Sequence, residues 1–220
     1  MNETPSFEIK DCALIAIATG KRAQNLRELK EHMANVSVES IYYHFWGGLL
    51  RPRFDDPEFH NDFAVWAAHE LHDKILAERL SVLDPVEYKD LNDLRLELID
   101  IIEERLDELQ VPPWSSRDRQ FEFIRSQIVI FRTRQVIKSP AELSRLLPQM
   151  SRGTIFFHFI DARRRNDNAV DDFRNWLLSF GGEFNDLREE ISKIDPYFGT
   201  LTQLRRELTV LFKDEFRGKD

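Results

Sequence analysis

The chain is poor in cysteine and glycine and has no long apolar run. Its single cysteine, Cys12, excludes an internal disulfide framework and a zinc module built on several cysteines. Eight glycines and nine prolines exclude a collagen-like or low-complexity chain. No apolar stretch approaches the roughly 20 residues of a membrane-spanning helix, and the first residues do not resemble a signal peptide. These features predict a cytoplasmic globular protein without a membrane partner.

The common catalytic signatures are missing as well. The sequence has no Gly-x-Ser-x-Gly elbow, no phosphate-binding glycine loop and no dinucleotide-binding fingerprint. Cys12 lies in an apolar run, which favours a buried, inert thiol over a nucleophile. We therefore assign no catalytic residue and no cofactor. This absence argues against the common enzyme classes, although it does not exclude every enzyme.

Negative charge is in excess, with 39 acidic and 31 basic side chains and a net charge of −8. The excess lies in residues 1–108, which carry 23 acidic and 12 basic side chains, whereas residues 109–220 carry 16 and 19. An acidic chain argues against nucleic acid as a partner. The uneven distribution indicates steering between the two halves or toward an acidic partner, with an ordinary solvated surface as the alternative.

An internal repeat is the most informative feature of the sequence. Phe7-Glu8 recurs as Phe121-Glu122, and this offset of 114 residues holds for almost forty positions. After a shortening of four residues in the second copy, the matches resume in the same order. We therefore predict a tandem duplication, with a first helical repeat unit at 1–108, a linker at 109–119 and a second helical repeat unit at 120–220. Other matched residues are Thr19 with Thr133, Glu28 with Glu142, Ser37 with Ser151, and Arg95 with Arg205.

Both copies carry the start signals and the spacing of helices. Asn25 and Ser139 each precede a glutamate by three residues, which is typical of a helix N-terminus. Apolar residues then recur at helical spacing. The predicted helices cover 26–34 and 140–149, the segments after Ser37 and Ser151, 61–73 and 171–180, 75–82 and 187–193, and 89–107 and 200–216.

One matched pair of segments is ambiguous. Residues 127–133 are β-branched and aromatic and favour a strand, whereas residues 12–18 favour a helix. Because homologous segments should share one state, and because no other convincing strand is available for pairing, we predict helix for both. The predicted fold is mainly α, with two homologous helical units in a pseudo-twofold arrangement and at most a short β segment near 127–133.

The repeat also places the same chemistry in both copies. Histidine and arginine could hold a phosphate or carboxylate group, since arginine offers a planar fork of donors. Tryptophan could pack against a sugar ring. Alternatively, the histidines are buried with an aspartate as partner, and the aspartates only stabilise helix N-termini. The candidate ligand-binding residues are His44, Arg51, Asp62 and Trp66 in the first copy, and His158, Arg165, Asp172 and Trp176 in the second.

Three further histidines form a candidate metal set outside the repeated motif. His69 and His72 are three residues apart and would share a helix face, and His60 lies close before that helix. Solvated helix histidines are the alternative interpretation. Because His69 and His72 also lack the i, i+4 spacing of a metalloprotease helix, we assign no metal site.

Segments 40–45 and 61–66, together with Asp84-Pro85, resemble an uncharacterised prokaryotic domain family, and segments 157–163 and 171–176 resemble the same pattern. The resemblance covers nearly the whole chain. It implies a cytoplasmic prokaryotic protein associated with regulators of a trehalose-synthesising complex, and it provides no catalytic residues. Phe45-Trp46 departs from the pattern, where a small polar residue and a second histidine are expected.

These observations lead to two functional hypotheses. The first is a non-catalytic regulatory or protein-interaction protein linked to carbohydrate (trehalose) metabolism. Its partner would be another protein or a second copy of the chain, with a sugar or sugar phosphate as a candidate ligand. The alternative is a small anionic-ligand-binding protein or a hydrolytic enzyme that uses the repeated His/Arg/Asp/Trp motif. Burial of the two repeated histidines should discriminate between them.

Overall fold

Two long strands are the main departure from the predicted fold. A computed structural model describes residues 5–50, 58–166, 168–196 and 199–217. Strands β1 (Phe7–Ala23) and β2 (Phe121–Ile137) have 17 residues each and form a two-stranded antiparallel sheet. The prediction of a mainly α fold with at most a short β segment near 127–133 is therefore wrong. The chain combines many helices with one substantial sheet.

The prediction failed because the two ambiguous segments are each other's partner. Strand propensity depends strongly on what a segment pairs with, so the alanine-rich counterpart of a β-branched segment can also be a strand. The hydroxyl of Thr19 donates to the carbonyl of Phe123 at 2.6 Å, and that of Thr133 donates to the carbonyl of Ile9 at 2.6 Å. Both segments do share one state, and that state is the strand.

The chain forms two compact units, and each division between them falls inside a strand. The first unit comprises residues 14–128, and the second comprises residues 1–13 and 129–220. Each unit therefore contains strand residues from both halves of the sequence. Residues 109–119, the predicted linker, lie within the first unit, where the Ser115 amide donates to the carbonyl of Gln24 at 2.8 Å.

The first helix of the first unit begins at its predicted capping residue, Asn25. The side chain of Asn25 accepts the amide protons of Arg27 and Glu28, and the Glu28 carboxylate accepts the amide of Gln24 at 2.8 Å. These contacts satisfy amides that would otherwise lack partners in the first helical turn. The helices are α1 Leu26–Asn35, α2 Val38–Tyr42, α3 Gly48–Leu50, α4 Asp62–His69, α5 Lys74–Ser81 and α6 Leu91–Glu108.

The second unit uses the same devices. Ser139 accepts the amide of Glu142, the Glu142 carboxylate accepts the amide of Lys138 at 3.0 Å, and Pro140 occupies the first helical turn. The 3₁₀ turn Leu147–Gln149 follows directly after the helix that begins at Pro140. The helices are α7 Pro140–Leu146, α8 Arg152–Ile155, α9 Ala162–Arg165, α10 Asp172–Leu178, α11 Asn185–Ser192 and α12 Leu201–Glu215.

The two longest helices each bury one apolar face in the core of their unit. In α6 this face includes Leu94, Leu98 and Ile102, which confirms the predicted amphipathic spacing. In α12 the buried residues include Leu208 and Phe212. Among the helices of the described residues, none combines the length and the apolar character needed to cross a membrane.

Candidate functional site

A π-helical turn places one repeated histidine in each unit. Tyr43–Gly47 joins α2 to α3 and carries His44, and Phe156–Asp161 joins α8 to α9 and carries His158. A π turn widens the helix by one residue per hydrogen-bonded ring and is frequent at functional sites. His44 is 4% exposed and His158 is 3% exposed, so both imidazoles lie in the interior of their units.

In the second unit, both ring nitrogens of His158 have protein partners. Its Nδ1 lies 2.8 Å from Oδ2 of Asp172, and the backbone amide of Lys10 in β1 donates to its Nε2 at 2.9 Å. Because a backbone N–H can only donate, Nε2 carries no proton, and Nδ1–H donates to the carboxylate. The neutral imidazole thus connects the start of α10 to the strand.

The first unit repeats this arrangement. His44 Nδ1 lies 2.8 Å from Oδ2 of Asp62 at the start of α4, and the amide of Ile124 in β2 donates to Nε2 at 3.2 Å. The same argument assigns the proton to Nδ1. Lys10 and Ile124 occupy matching positions of the sequence repeat, so each histidine binds the equivalent strand amide.

A strand phenylalanine fills the space between histidine and tryptophan in the second unit. The ring centroid of Phe7 lies 4.8 Å from that of His158, 5.6 Å from Phe173 and 5.2 Å from Trp176. The indole N–H of Trp176 donates to the carbonyl of Pro5 at 3.3 Å. We call His158, Phe173 and Trp176 the second socket, because their side chains surround the Phe7 ring.

The first unit has a matching first socket, formed by His44, Phe63 and Trp66. Phe121 of β2 occupies it, with ring centroids 4.7 Å from His44, 5.1 Å from Phe63 and 5.7 Å from Trp66. The indole N–H of Trp66 donates to the carbonyl of Arg119 at 2.9 Å. In both units the predicted tryptophan wall therefore packs against a side chain of the protein itself.

Asp172 contacts the positive charge of Arg165 in the second unit. Arg165 Nη2 donates to Asp172 Oδ2 at 3.0 Å, and Arg165 Nε donates to buried Asp161 at 2.8 Å. Burial raises the pKa of Asp172, but the hydrogen bond from His158 and the charge of Arg165 outweigh it, so that the pKa lies below its ordinary value. The guanidinium fork of Arg165 is thus occupied by two carboxylates.

The structure brings only part of the predicted ligand-binding set together. His158, Arg165 and Asp172 form one cluster in the second unit, and His44 and Asp62 form a pair in the first. Each tryptophan contacts the same strand phenylalanine as its histidine, and Arg51 lies outside the described residues. The ligand-binding role of these eight residues stays a prediction.

The candidate metal set is not assembled. His60, His69 and His72 are all exposed. Within the described parts of the chain, no group of three or more histidine, cysteine, aspartate or glutamate side chains could hold a metal ion. A groove of about 440 Å³ beside α11 and α12, lined in part by Ile194 and Val210, contains none of the predicted site residues.

Sequence reasoning missed the two strand phenylalanines and identified Cys12 only as inert. Phe7-Glu8 and Phe121-Glu122 were visible as a repeat, but their role depends on long-range packing. The Cys12 thiol donates to the carbonyl of Gly153 at 3.3 Å. Burial, followed by the nearby carboxylates Asp161 and Asp11, raises the pKa of Cys12 to about 12, so the thiol stays protonated and unreactive.

A solved structure and a family model each match nearly the whole chain. The structure of OrfY from Thermoproteus tenax is similar, with 25% sequence identity and a TM-score of 0.78, over 97% of this chain and 96% of that chain. No curated protein matches the chain. The family of unknown function DUF5752 matches residues 4–213. The chain therefore belongs to this family of unknown function.

Proposed function

We propose that the protein is a non-catalytic regulatory protein that acts through contacts with other proteins in the cytoplasm. The observation that carries this proposal is the state of the two buried histidines. A general base needs a nitrogen lone pair within reach of a substrate proton. In His44 and His158 one nitrogen donates to a carboxylate and the other accepts a strand amide. Their role is to hold a strand against the helices.

The surroundings of the histidines support the same proposal. Nε and Nη2 of Arg165 contact Asp161 and Asp172, so an anionic ligand that bound this edge of the guanidinium would have to displace a carboxylate. The rings of Trp66 and Trp176 pack beside Phe121 and Phe7, where the ligand-binding hypothesis places a sugar ring. No contact in the described residues favours the small-ligand or hydrolytic alternative over this interpretation.

We also propose that the chain arose by tandem duplication. Equivalent hydrogen bonds support it, since the two histidines bind amides at matched strand positions. A second pair is equally specific. Arg95 donates to the carbonyl of Val36 at 2.7 Å, and Arg205 donates to the carbonyl of Met150 at 2.5 Å, with both carbonyls at matched positions of the repeat. Duplication explains why a structural contact, rather than a single active site, occurs twice.

The regulated process we propose is carbohydrate metabolism, with a trehalose-synthesising enzyme as the partner. The support is the resemblance of segments 40–45, 61–66 and 171–176 to the domain family associated with such regulators. The proposal is tested by adding the purified chain to the purified trehalose-synthesising enzyme of the same organism and measuring initial rates. We expect a saturable change in rate, whereas the chain alone should turn over no sugar substrate. An unchanged rate in excess chain would contradict the proposal.

A ligand screen separates this proposal from the alternative. The melting temperature of the chain is measured with sugar phosphates, nucleotides and divalent metal ions, because a ligand that binds only the folded state must raise it. We expect no shift with any of these compounds. A concentration-dependent rise that the His158→Asn variant abolishes would instead support the small-ligand hypothesis.

A further inference from the structure

Residues 5–12 lie in the second unit much as a bound peptide lies in a groove. Phe7 enters the second socket, the Lys10 amide binds His158, and the carbonyl of Pro5 accepts the indole N–H of Trp176. Side chains of α10 and of a π turn thus contact both the backbone and one aromatic anchor of the segment. Backbone hydrogen bonds combined with a pocket for one side chain are the usual means of recognising an extended segment.

The far end of this segment is held by close backbone approach. Ser151 donates to the Asp11 carboxylate at 2.8 Å, and the Cys12 thiol donates to the carbonyl of Gly153. A Cβ atom on Gly153 would collide with the carbonyl of Cys12 and the carboxylate of Asp11. Only glycine fits at position 153 while the segment is in place, so the first turn of α8 contains a residue suited to this occupant.

The connectivity of the second unit allows this occupant to be exchanged. Residues 5–13 are joined to residues 129–220 through the first unit alone, so within the second unit they are held by non-covalent contacts. The first unit differs from the second in this respect. Its corresponding segment, residues 119–126, belongs to the same uninterrupted stretch of chain, residues 14–128, as the helices that it contacts. The exit point after Ala13 is exposed, and the exposed side chains Ile15 and Ala16 follow it.

We propose that the groove of the second unit binds residues 5–13 of a second copy of this chain, so that two chains associate by strand exchange. The inference rests on the proposed interaction role and names a second copy as the partner. The exchanged segment makes the same contacts in either chain, so their energies largely cancel and concentration decides the outcome. The second socket, which includes His158, recognises the segment together with Gly153.

Complementation between two defective full-length chains tests the proposal. Phe7→Ala removes the anchor but leaves the groove intact, whereas His158→Phe damages the groove but leaves the segment intact. Size-exclusion chromatography with light scattering measures each variant alone and the mixture. We expect the mixture to contain about tenfold more of a species of twice 26.1 kDa than either variant alone. A mixture that stays monomeric overturns the proposal.

The first unit supplies a matched control. Phe121→Ala and His44→Phe are the equivalent changes in the first socket, and their mixture should stay monomeric because residues 119–126 are continuous with the unit they complete. Dimerisation of this control mixture to the same extent would also overturn the proposal. It would show that any destabilised pair associates.

Cys12 reports whether the groove has been vacated, since its thiol is buried only while the segment is bound. In the Phe7→Ala chain we expect labelling by a thiol reagent to be at least about tenfold faster than in the unchanged chain. If Phe7→Ala does not fold, Lys10→Pro removes the amide bound by His158 and keeps the Phe7 anchor. If either variant vacates the groove and the groove still does not bind a fluorescent peptide of residues 3–14, the proposal is overturned. It is also overturned if Cys12 becomes reactive only when the whole chain unfolds.

The two proposals fail in different ways. If the unchanged chain alters the rate of the trehalose-synthesising enzyme while the complementing mixture stays monomeric, strand exchange is wrong and the regulatory role stands. If the mixture dimerises but the enzyme rate does not change, the proposed regulatory role is wrong and self-association stands.

Discussion

At the scale of single residues, the buried histidines stabilise the protein because each satisfies two polar groups at once. In His158→Phe the Lys10 amide loses its acceptor and the Asp172 carboxylate loses its donor. We expect the free energy of unfolding to fall by about 2–4 kcal/mol, the cost of leaving buried polar groups unpaired. Urea denaturation measures this free energy. The control substitution His69→Phe, at an exposed position, should change the free energy of unfolding by less than about 0.5 kcal/mol. Equal effects of the two substitutions would show that His158 only fills space.

Asp172 should make the protein sensitive to acid. Its pKa is lowered in the folded protein, chiefly by His158 and Arg165 acting against burial. A carboxyl group with a depressed folded-state pKa contributes stability that is complete above the unfolded value of about 3.9 and is lost as pH falls through the folded value. Denaturation curves between pH 5 and pH 2 should therefore show a shallower acid loss for Asp172→Asn than for the unchanged chain. Glu104→Gln, at an exposed site on α6, is the control, and identical slopes for all three proteins would contradict the prediction.

Residue roles could be predicted where they depend on local sequence. Asn25, Ser139 and the glutamates that follow them act as helix caps, as their spacing indicated. The interpretation of the histidines as buried partners of aspartates was also open from the sequence. The role of Phe7 was not visible, because its neighbours His158 and Trp176 are more than a hundred residues away and no local pattern encodes that contact.

At the scale of elements, helices were predictable and strands were not. Capping and apolar spacing act within a few residues, so α1, α6, α11 and α12 appear close to their predicted bounds. The energy of β1 depends on a partner that follows about a hundred residues later. Because β1 contains several alanines, its local propensity favoured helix, and pairing with β2 outweighed that preference.

Contact between α8 and β1 gives a prediction at this scale. In Gly153→Ala the new methyl group would collide with the carbonyl of Cys12, so the end of the bound segment must move away. We expect Cys12 to react about tenfold faster with a thiol reagent under native conditions, because local opening exposes its thiol. The matched control is Glu39→Ala in the first unit. Glu39 occupies the position of the repeat that matches Gly153, and its side chain is exposed. Faster reaction in both variants would point to general loosening, and no change in either would show that the collision is absorbed elsewhere.

At the scale of the whole molecule, each compact unit needs residues from both halves of the sequence. The first unit includes residues 121–128, and the second includes residues 1–13. A break at residues 109–119 would therefore leave the helices of each fragment without the strand residues that complete their compact unit. The sequence repeats and the compact units therefore have different boundaries. Strand residues from one half of the sequence complete the unit whose helices come from the other half.

Fragments 1–116 and 117–220 should accordingly fold together and not separately. Each fragment alone is expected to lack a cooperative unfolding transition, since a first socket without Phe121 or a second socket without Phe7 exposes buried aromatic surface. Mixed in equal amounts, the fragments should regain a single transition by circular dichroism and elute as one complex. In a mixture where fragment 1–116 carries Phe7→Ala, the midpoint of unfolding should fall, since burying an aromatic ring contributes several kcal/mol. If either fragment alone unfolds cooperatively at the midpoint of the intact chain, that half completes its own core and the strand residues from the other half are dispensable.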